Sequence, residues 1–146
     1  MEFEGLEEAA LEGLASRVAQ VLVPGDVVVL SGEVGAGKTT FVRAAARSLG
    51  VTDRVTSPTY QLARGYEGAK DGRSILVNHL DLYRLEGIED RDVLELDDYI
   101  DPEALTFIEW AAPALDAIEN PSVVRILHET LTTRGVILEG PIVERM

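Results

Sequence analysis

Apolar positions recur along the chain in two different rhythms, and the change from one to the other sets out the elements. Leu6, Ala10, Leu14, Val18 and Leu22 fall four residues apart, a stripe widened by Leu11 and Ala15, which predicts an amphipathic helix stopped by Pro24-Gly25. Val27-Val28-Val29-Leu30 is then a continuous, largely β-branched run, the pattern of a strand buried on both faces. Ser31 to Thr39 reads as a glycine-rich turn and Thr40 to Leu49 as a second helix, with Gly50 placed to close it in a left-handed conformation.

Further along, Thr56-Ser57-Pro58-Thr59 predicts a turn, because Pro58 disfavours a helical Ser57. Tyr60 to Tyr66 and Ser74 to Leu80 read as strands on either side of a polar turn, Glu67 to Gly72, which predicts a hairpin with a six-residue loop. Asp81 to Arg84 leaves the end of the second of these strands, and Ile88 to Leu96 predicts a helix. Thr106-Phe107-Ile108-Glu109-Trp110 is a short apolar run holding one acid. Val123 to Leu127 and Val136 to Glu139 are two last strands, joined around Thr132-Thr133-Arg134. The fold class this implies is α/β, a mixed sheet with a parallel centre and antiparallel additions, covered by helices.

Composition narrows the possibilities. A chain of 146 residues predicts a single domain over 1–146, and 46% hydrophobic with 27% charged residues is ordinary for a globular protein. The absence of cysteine excludes a disulfide framework, a thiolate zinc site and a cysteine nucleophile, and two histidines are too few for a histidine-rich metal site. The acidic start MEFEGLEEAALEGL has no basic leader pattern, and no apolar run approaches the roughly 18–20 residues of a membrane span, so a cytoplasmic protein is expected. Thirteen Lys+Arg against 26 Asp+Glu give a net charge of −13, and Lys38 and Lys70 are the only lysines. A surface this acidic repels a phosphate backbone, so any RNA in this protein's biology should be held by another molecule. As a statement about net charge alone, a solubility device is the favoured reading of the same acidity.

Gly32-Glu33-Val34-Gly35-Ala36-Gly37-Lys38-Thr39 matches GxxxxGK[ST] in full, after a buried strand and before a helix, the context that motif requires. Glycines there let successive backbone N–H groups curl round a phosphate, and the helix N-terminus adds donors and partial positive charge. Gly35, Ala36, Gly37, Lys38, Thr39 and Thr40 are therefore the candidate nucleotide-binding residues. Lys38 is expected to reach the β- and γ-phosphates, Thr39 to ligate Mg²⁺ and Thr40 to donate to the α-phosphate. Mg²⁺ at such a site usually takes an acid from the end of a neighbouring strand. The candidates are Asp81, which is equally a helix N-cap, and Glu109, whose place in an apolar strand is costly without a cation or hydrogen bonds. The alternative for Glu109 is an edge-strand acid facing solvent.

No NKxD is present, since the only asparagines precede His79 and Pro121, and no Asp starts a DxxG, so adenine is favoured over guanine. A small-molecule kinase shares the loop motif, but no arginine pair in a short loop suggests a phosphate-neutralising lid. The Thr132–Arg134 turn and the stretch Leu6 to Glu8 are candidates for contacting the base, though each is equally an ordinary turn or helix.

Taken in order, GEVGAGKTTFVR at 32–43, TSPTY at 56–60, HLDLYRL at 79–85 and IEW at 108–110 resemble the bacterial TsaE (YjeE) family over residues 6 to about 139. The resemblance implies a P-loop NTPase-like three-layer fold and an ATPase, weak alone, that acts with the TsaD and TsaB proteins in tRNA threonylcarbamoyladenosine biosynthesis. In that setting ATP and Mg²⁺ are the cofactors, TsaD and TsaB carry out the chemistry on adenosine 37, and tRNA is met only indirectly. Carried over by position, Lys38 and Thr39 form the Walker A pair, and Thr39 with Glu109 holds Mg²⁺. Asp81 is the essential acid near the γ-phosphate, Trp110 the aromatic after the metal-binding acid, and Thr56 to Thr59 a switch-like segment. Lys38, Asp81 and Glu109 are thus the candidate catalytic residues, with Glu109 able to exchange roles with Asp81. The chain departs from the family in Glu95-Leu96-Asp97-Asp98-Tyr99, which lacks the glycine often found there. A small-molecule kinase and a non-hydrolysing nucleotide-dependent binding module are the other readings.

Overall fold

Val27 to Leu30 does become a strand with a neighbour on each side. A computed structural model of the protein describes residues 1–33, 35–55, 63–81, 100–109 and 118–146. In it β1 (Glu2–Leu6), β2 (Val27–Ser31), β3 (Ala63–Lys70), β4 (Arg73–Asp81), β5 (Ala104–Glu109), β6 (Ser122–His128) and β7 (Arg134–Glu139) form one seven-stranded sheet in the order β1-β7-β6-β2-β5-β4-β3. β2 runs parallel to both β5 and β6, and β5 runs parallel to β4. Antiparallel pairs β6–β7 and β1–β7 extend one side, and β3–β4 the other. The mixed sheet with a parallel centre is the one the apolar runs predict. All six residues of β5 are buried, as the absence of alternation in its sequence requires.

Two helices, α1 (Glu8–Val21) and α2 (Lys38–Ser48), cover one face. Val28 and Leu30 of β2, Phe107 of β5 and Val124 of β6 join Leu14, Val18, Phe41 and Ala45 of the helices in one buried cluster. By alternation Val29 of β2, Ile108 of β5 and Leu80 of β4 point to the opposite face and are also buried. Among the described residues no helix is long and apolar enough to cross a membrane.

Three expectations need correction. Leu6 does not begin a helix, because Glu2 to Leu6 pairs with β7 and the helix starts only at Glu8. The buried stripe accordingly shifts to Leu11, Leu14, Ala15, Val18 and Leu22, and Ala10 faces solvent. The second helix starts at Lys38 rather than Thr40. The hairpin loop is two residues long, not six: pairing continues to Lys70↔Arg73, and Asp71 and Gly72 turn the chain with φ of 53° and 78°. Both angles are left-handed, the requirement of a type I′ turn and the reason Asp-Gly suits it. Polar residues that face solvent on the edge strand β3 read, in sequence, as loop. A short helix, α3 (Pro141–Arg145), follows β7 with Ile142 buried and Arg145 paired to Asp26, 2.5 Å apart. The expected Thr56–Thr59 turn, the start of the Tyr60 strand, the Ile88–Leu96 helix, Asp97 to Tyr99 and Trp110 lie outside the described residues.

β3 is seated against the end of α2 by Ala69 N–H donating to Leu49 O at 2.6 Å. A Cβ at Gly68 would fall 2.5 Å from that same Leu49 carbonyl, whereas one at Gly13, in the interior of α1, would meet nothing within 4 Å. Gly68→Ala is expected to destabilise the protein by about 1–3 kcal/mol. Gly13→Ala is expected to stabilise it by about 0.5–1 kcal/mol through helix propensity alone. Urea unfolding of the two variants beside the parent checks both signs.

Candidate functional site

Parallel strands deliver their C-terminal ends to one edge of the sheet, and a strand-to-helix loop placed there borders the crevice where α/β proteins bind ligands. β2 ends at Ser31, the chain loops through Gly32–Gly37, and α2 begins at Lys38. Gly37 has φ 116°, a conformation favouring glycine, and a Cβ on Gly32 would lie 2.6 Å from Ile126 O. The glycines at these two places are thus demanded by backbone shape and by close approach to β6. Phe41 N–H donates to Gly37 O at 2.9 Å, which closes the first turn of α2 directly beside the loop. Lys38 folds back across it, Nζ donating to Gly32 O at 2.8 Å.

Glu109 closes the floor. Far from being an edge-strand acid, it ends a strand flanked on both sides and is only 4% exposed. Burial of a carboxylate demands hydrogen-bond partners, and two side chains supply them. Thr39 Oγ1 donates to it, 3.3 Å from Oε1 and 3.5 Å from Oε2, and His79 Nε2 lies 2.5 Å from Oε2. The parallel register aligns Asp81 with Glu109, so both acids stand at adjacent strand ends. Asp81 is the last residue of β4, and the residues that would make it a helix N-cap lie outside the described residues. Among the described residues no three His, Asp or Glu side chains gather into a cluster able to hold a metal. A hydroxyl beside one buried carboxylate, with a second acid next to it, instead fits a hard cation that keeps most of its ligands from water and phosphate, the habit of Mg²⁺.

The other wall of the loop is a cavity of about 520 Å³, lined by Gly35, Ala36, Gly37 and Thr40 together with Glu7, Leu11, Thr132 and Arg134. The two segments considered for base contact, Leu6–Glu8 and Thr132–Arg134, therefore meet here, across the loop from Glu109. Arg134 does more than line it. Its Nε donates to Ala36 O at 3.0 Å, Nη2 reaches Gly35 O at 3.5 Å, and Nη1 donates to Thr130 O and Thr133 O at 3.1 and 2.9 Å. One guanidinium fork thus fastens the β6–β7 turn to the glycine-rich loop.

The structure brings Gly35, Ala36, Gly37, Lys38, Thr39, Thr40, Asp81 and Glu109 to one edge of the sheet. Two contributors escaped sequence reasoning: the bracing role of Arg134, and His79. The signal for His79 was available, since it is a polar residue inside an apolar strand, the argument that singled out Glu109.

Residues 6–136 match the family model described as threonylcarbamoyl adenosine biosynthesis protein TsaE. The chain belongs to the TsaE family. It is 42% identical over 98 residues to the tRNA threonylcarbamoyladenosine biosynthesis protein TsaE of Streptomyces coelicolor, covering 66% of this chain and 64% of that one. The protein of the same name from Bacillus subtilis is 38% identical over 100 residues, 68% of this chain and 60% of the relative. The Synechocystis protein is 34% identical over 115 residues, covering 75% and 69%. The chain thus spans less than two thirds of the length of the first two TsaE relatives. The crystal structure of Bacillus subtilis YdiB shares the fold at a TM-score of 0.76 and 25% identity, over 99% of this chain and 87% of that one. In this TsaE family member the matched stretch takes in the glycine-rich loop, both strand-end acids and Arg134.

Arg134→Ala removes the tie between the β6–β7 turn and the loop and is expected to cost about 1–2 kcal/mol. Amide hydrogen exchange is expected to quicken around Gly35 to Gly37 while the amides of β2 and β5 keep their protection.

Proposed function

We propose that this TsaE family member is a Mg²⁺-dependent ATPase that serves tRNA threonylcarbamoyladenosine modification as the nucleotide-hydrolysing partner of a TsaB–TsaD pair. The observation that carries the reading is the Thr39–Glu109 contact: a helix-start hydroxyl and a buried strand-end carboxylate, 3.3 Å apart, directly beside the GxxxxGK[ST] loop. A buried acid there has its natural use beside a cation, and the loop's N–H groups have theirs around a phosphate.

On this reading the chain's residues divide the work as follows. Gly35 and Gly37 to Thr40 present backbone N–H groups to the phosphates, while Ala36 N–H holds the loop's own turn by donating to Glu33 O. Lys38 exchanges the Gly32 carbonyl for phosphate oxygen, and Thr39 and Glu109 hold the cation. Mg²⁺ bound there would neutralise charge on the β- and γ-phosphate oxygens. Asp81, beside Glu109 in register, orients the attacking water and accepts its proton. The cavity at Leu11, Thr132 and Arg134 has the volume for a nucleoside and receives the adenosine end. The names of the relatives supply the pathway, and the net charge of −13 supports an indirect relation to tRNA, held by the partners rather than by this chain.

Steady-state ATP hydrolysis with Mg²⁺, for the chain alone and with its matched TsaB–TsaD pair, tests the proposal. Strong stimulation by the pair is expected. Lys38→Ala and Asp81→Ala are each expected to lower the stimulated rate about 100-fold or more, with Asp81→Ala retaining nucleotide affinity and Lys38→Ala losing it. Bound ATP without stimulated turnover would point instead to a non-hydrolysing module, and partner-free phosphorylation of an acceptor to a kinase.

A further inference from the structure

His79 is fully buried in β4, a strand whose neighbouring inward residues, Ile75 and Val77, are apolar. Its register partner on β5 is Phe107, two residues before Glu109. In a parallel pair this places the imidazole and the Glu109 side chain on the same face, one step apart along the strands. The ring spans that step, Nε2 to Oε2 at 2.5 Å. A carboxylate only accepts, so Nε2 carries the hydrogen and donates it. The other ring nitrogen, Nδ1, is buried without a hydrogen-bond partner among the described residues, so there the ring's polar link is Glu109. A residue present only to fill the core would be better apolar, because an orphaned buried nitrogen is a cost that an aliphatic chain avoids.

The carboxylate is bracketed from two elements. Oε2 is taken by His79, and Oε1 is the oxygen nearer the Thr39 hydroxyl, at 3.3 Å against 3.5 Å. The final torsion of a glutamate is broad, so a carboxylate without a fixed partner swings between orientations. With Oε2 tied back into the sheet, Oε1 faces Thr39.

We propose that His79 is a positioning residue: its Nε2–H locks the Glu109 carboxylate so that Oε1 and the Thr39 hydroxyl form a ready-made pair for a divalent cation. This rests on the reading that Thr39 and Glu109 hold Mg²⁺ beside a nucleotide. Outer partners that orient a metal-binding side chain typically matter 10–100-fold for metal affinity.

The test is calorimetric titration of the folded protein with the imido analogue of ATP, with and without Mg²⁺, so that the readout is binding rather than turnover. In the parent, Mg²⁺ is expected to tighten binding, and Glu109→Gln is expected to abolish that gain. His79→Leu should bind the analogue normally without Mg²⁺ but lose roughly 10–100-fold of the gain. His79→Gln, whose amide nitrogen stands where Nε2 does, should restore it. Full retention of the gain in His79→Leu, with Glu109→Gln lacking it, overturns the role of His79 and leaves the metal reading standing. Absence of any gain in the parent overturns both.

A measurement on the parent covers the case in which His79→Leu does not fold. The chain has two histidines, and His128 is exposed, so imidazole ¹⁵N–¹H spectra separate them without further assignment. One exchange-protected Nε2–H is expected, and it should shift when Mg²⁺ and the analogue are added together. A protected signal on Nδ1, or an Nε2–H that does not move, overturns the proposal.

Discussion

Burying a carboxylate at the end of an apolar strand costs several kcal/mol unless partners come to it, and the arrangement of this protein follows from where those partners must be. Glu109 sits at the tip of β5, so a helix must begin close enough for Thr39 to reach it, and β4 must lie alongside in a register that brings His79 within bonding distance. The order β2-β5-β4 satisfies both demands at once. Were β4 to slip by one residue, His79 would turn to the opposite face and the acid would lose a partner. The same register sets Asp81 beside Glu109, so one alignment determines the floor of the whole crevice.

The glycine-rich loop is held from the other side. Its shape is fixed by close backbone approach at Gly32, by the left-handed Gly37, and by the Arg134 fork gripping Ala36 and Gly35. Loops that bind phosphate through backbone N–H groups work by being preformed, since donors that must first be gathered would spend binding energy on ordering themselves. The guanidinium occupies the Ala36 and Gly35 carbonyls, so those two acceptors are satisfied within the fold. The likeness to YdiB at a TM-score of 0.76 extends to the fold that carries this loop.

Local chemistry was legible in the sequence; long-range pairing was not. The β-branched run 27–30, the loop motif and the buried acid each announce themselves within a few residues, and each is found in its expected place. Misreadings came where tertiary context overrode local signals. Leu6 continues a helical stripe in sequence but pairs with Arg134 in a strand, a partner no window could include. Glu67 and Lys70 are polar because they lie on a sheet edge, not because they turn, and the real turn signal is the Asp-Gly pair. His79 lies within the HLDLYRL stretch, yet its meaning depends on β5 lying beside β4.

The contacts that make the site share one further property, which is their span. Thr39 and Glu109 are 70 residues apart in the chain, and Arg134 and Ala36 are 98 apart. Closing loops that long carries an entropic cost that the assembled sheet repays. The crevice therefore has no local precursor: a fragment holding the glycine-rich loop and its helix would carry the motif without the floor or the brace. Ligand binding is consequently linked to the stability of the whole chain rather than to that of one segment. On the proposed reading, a lesion in the β6–β7 hairpin would surface as weakened nucleotide binding, although it touches no phosphate.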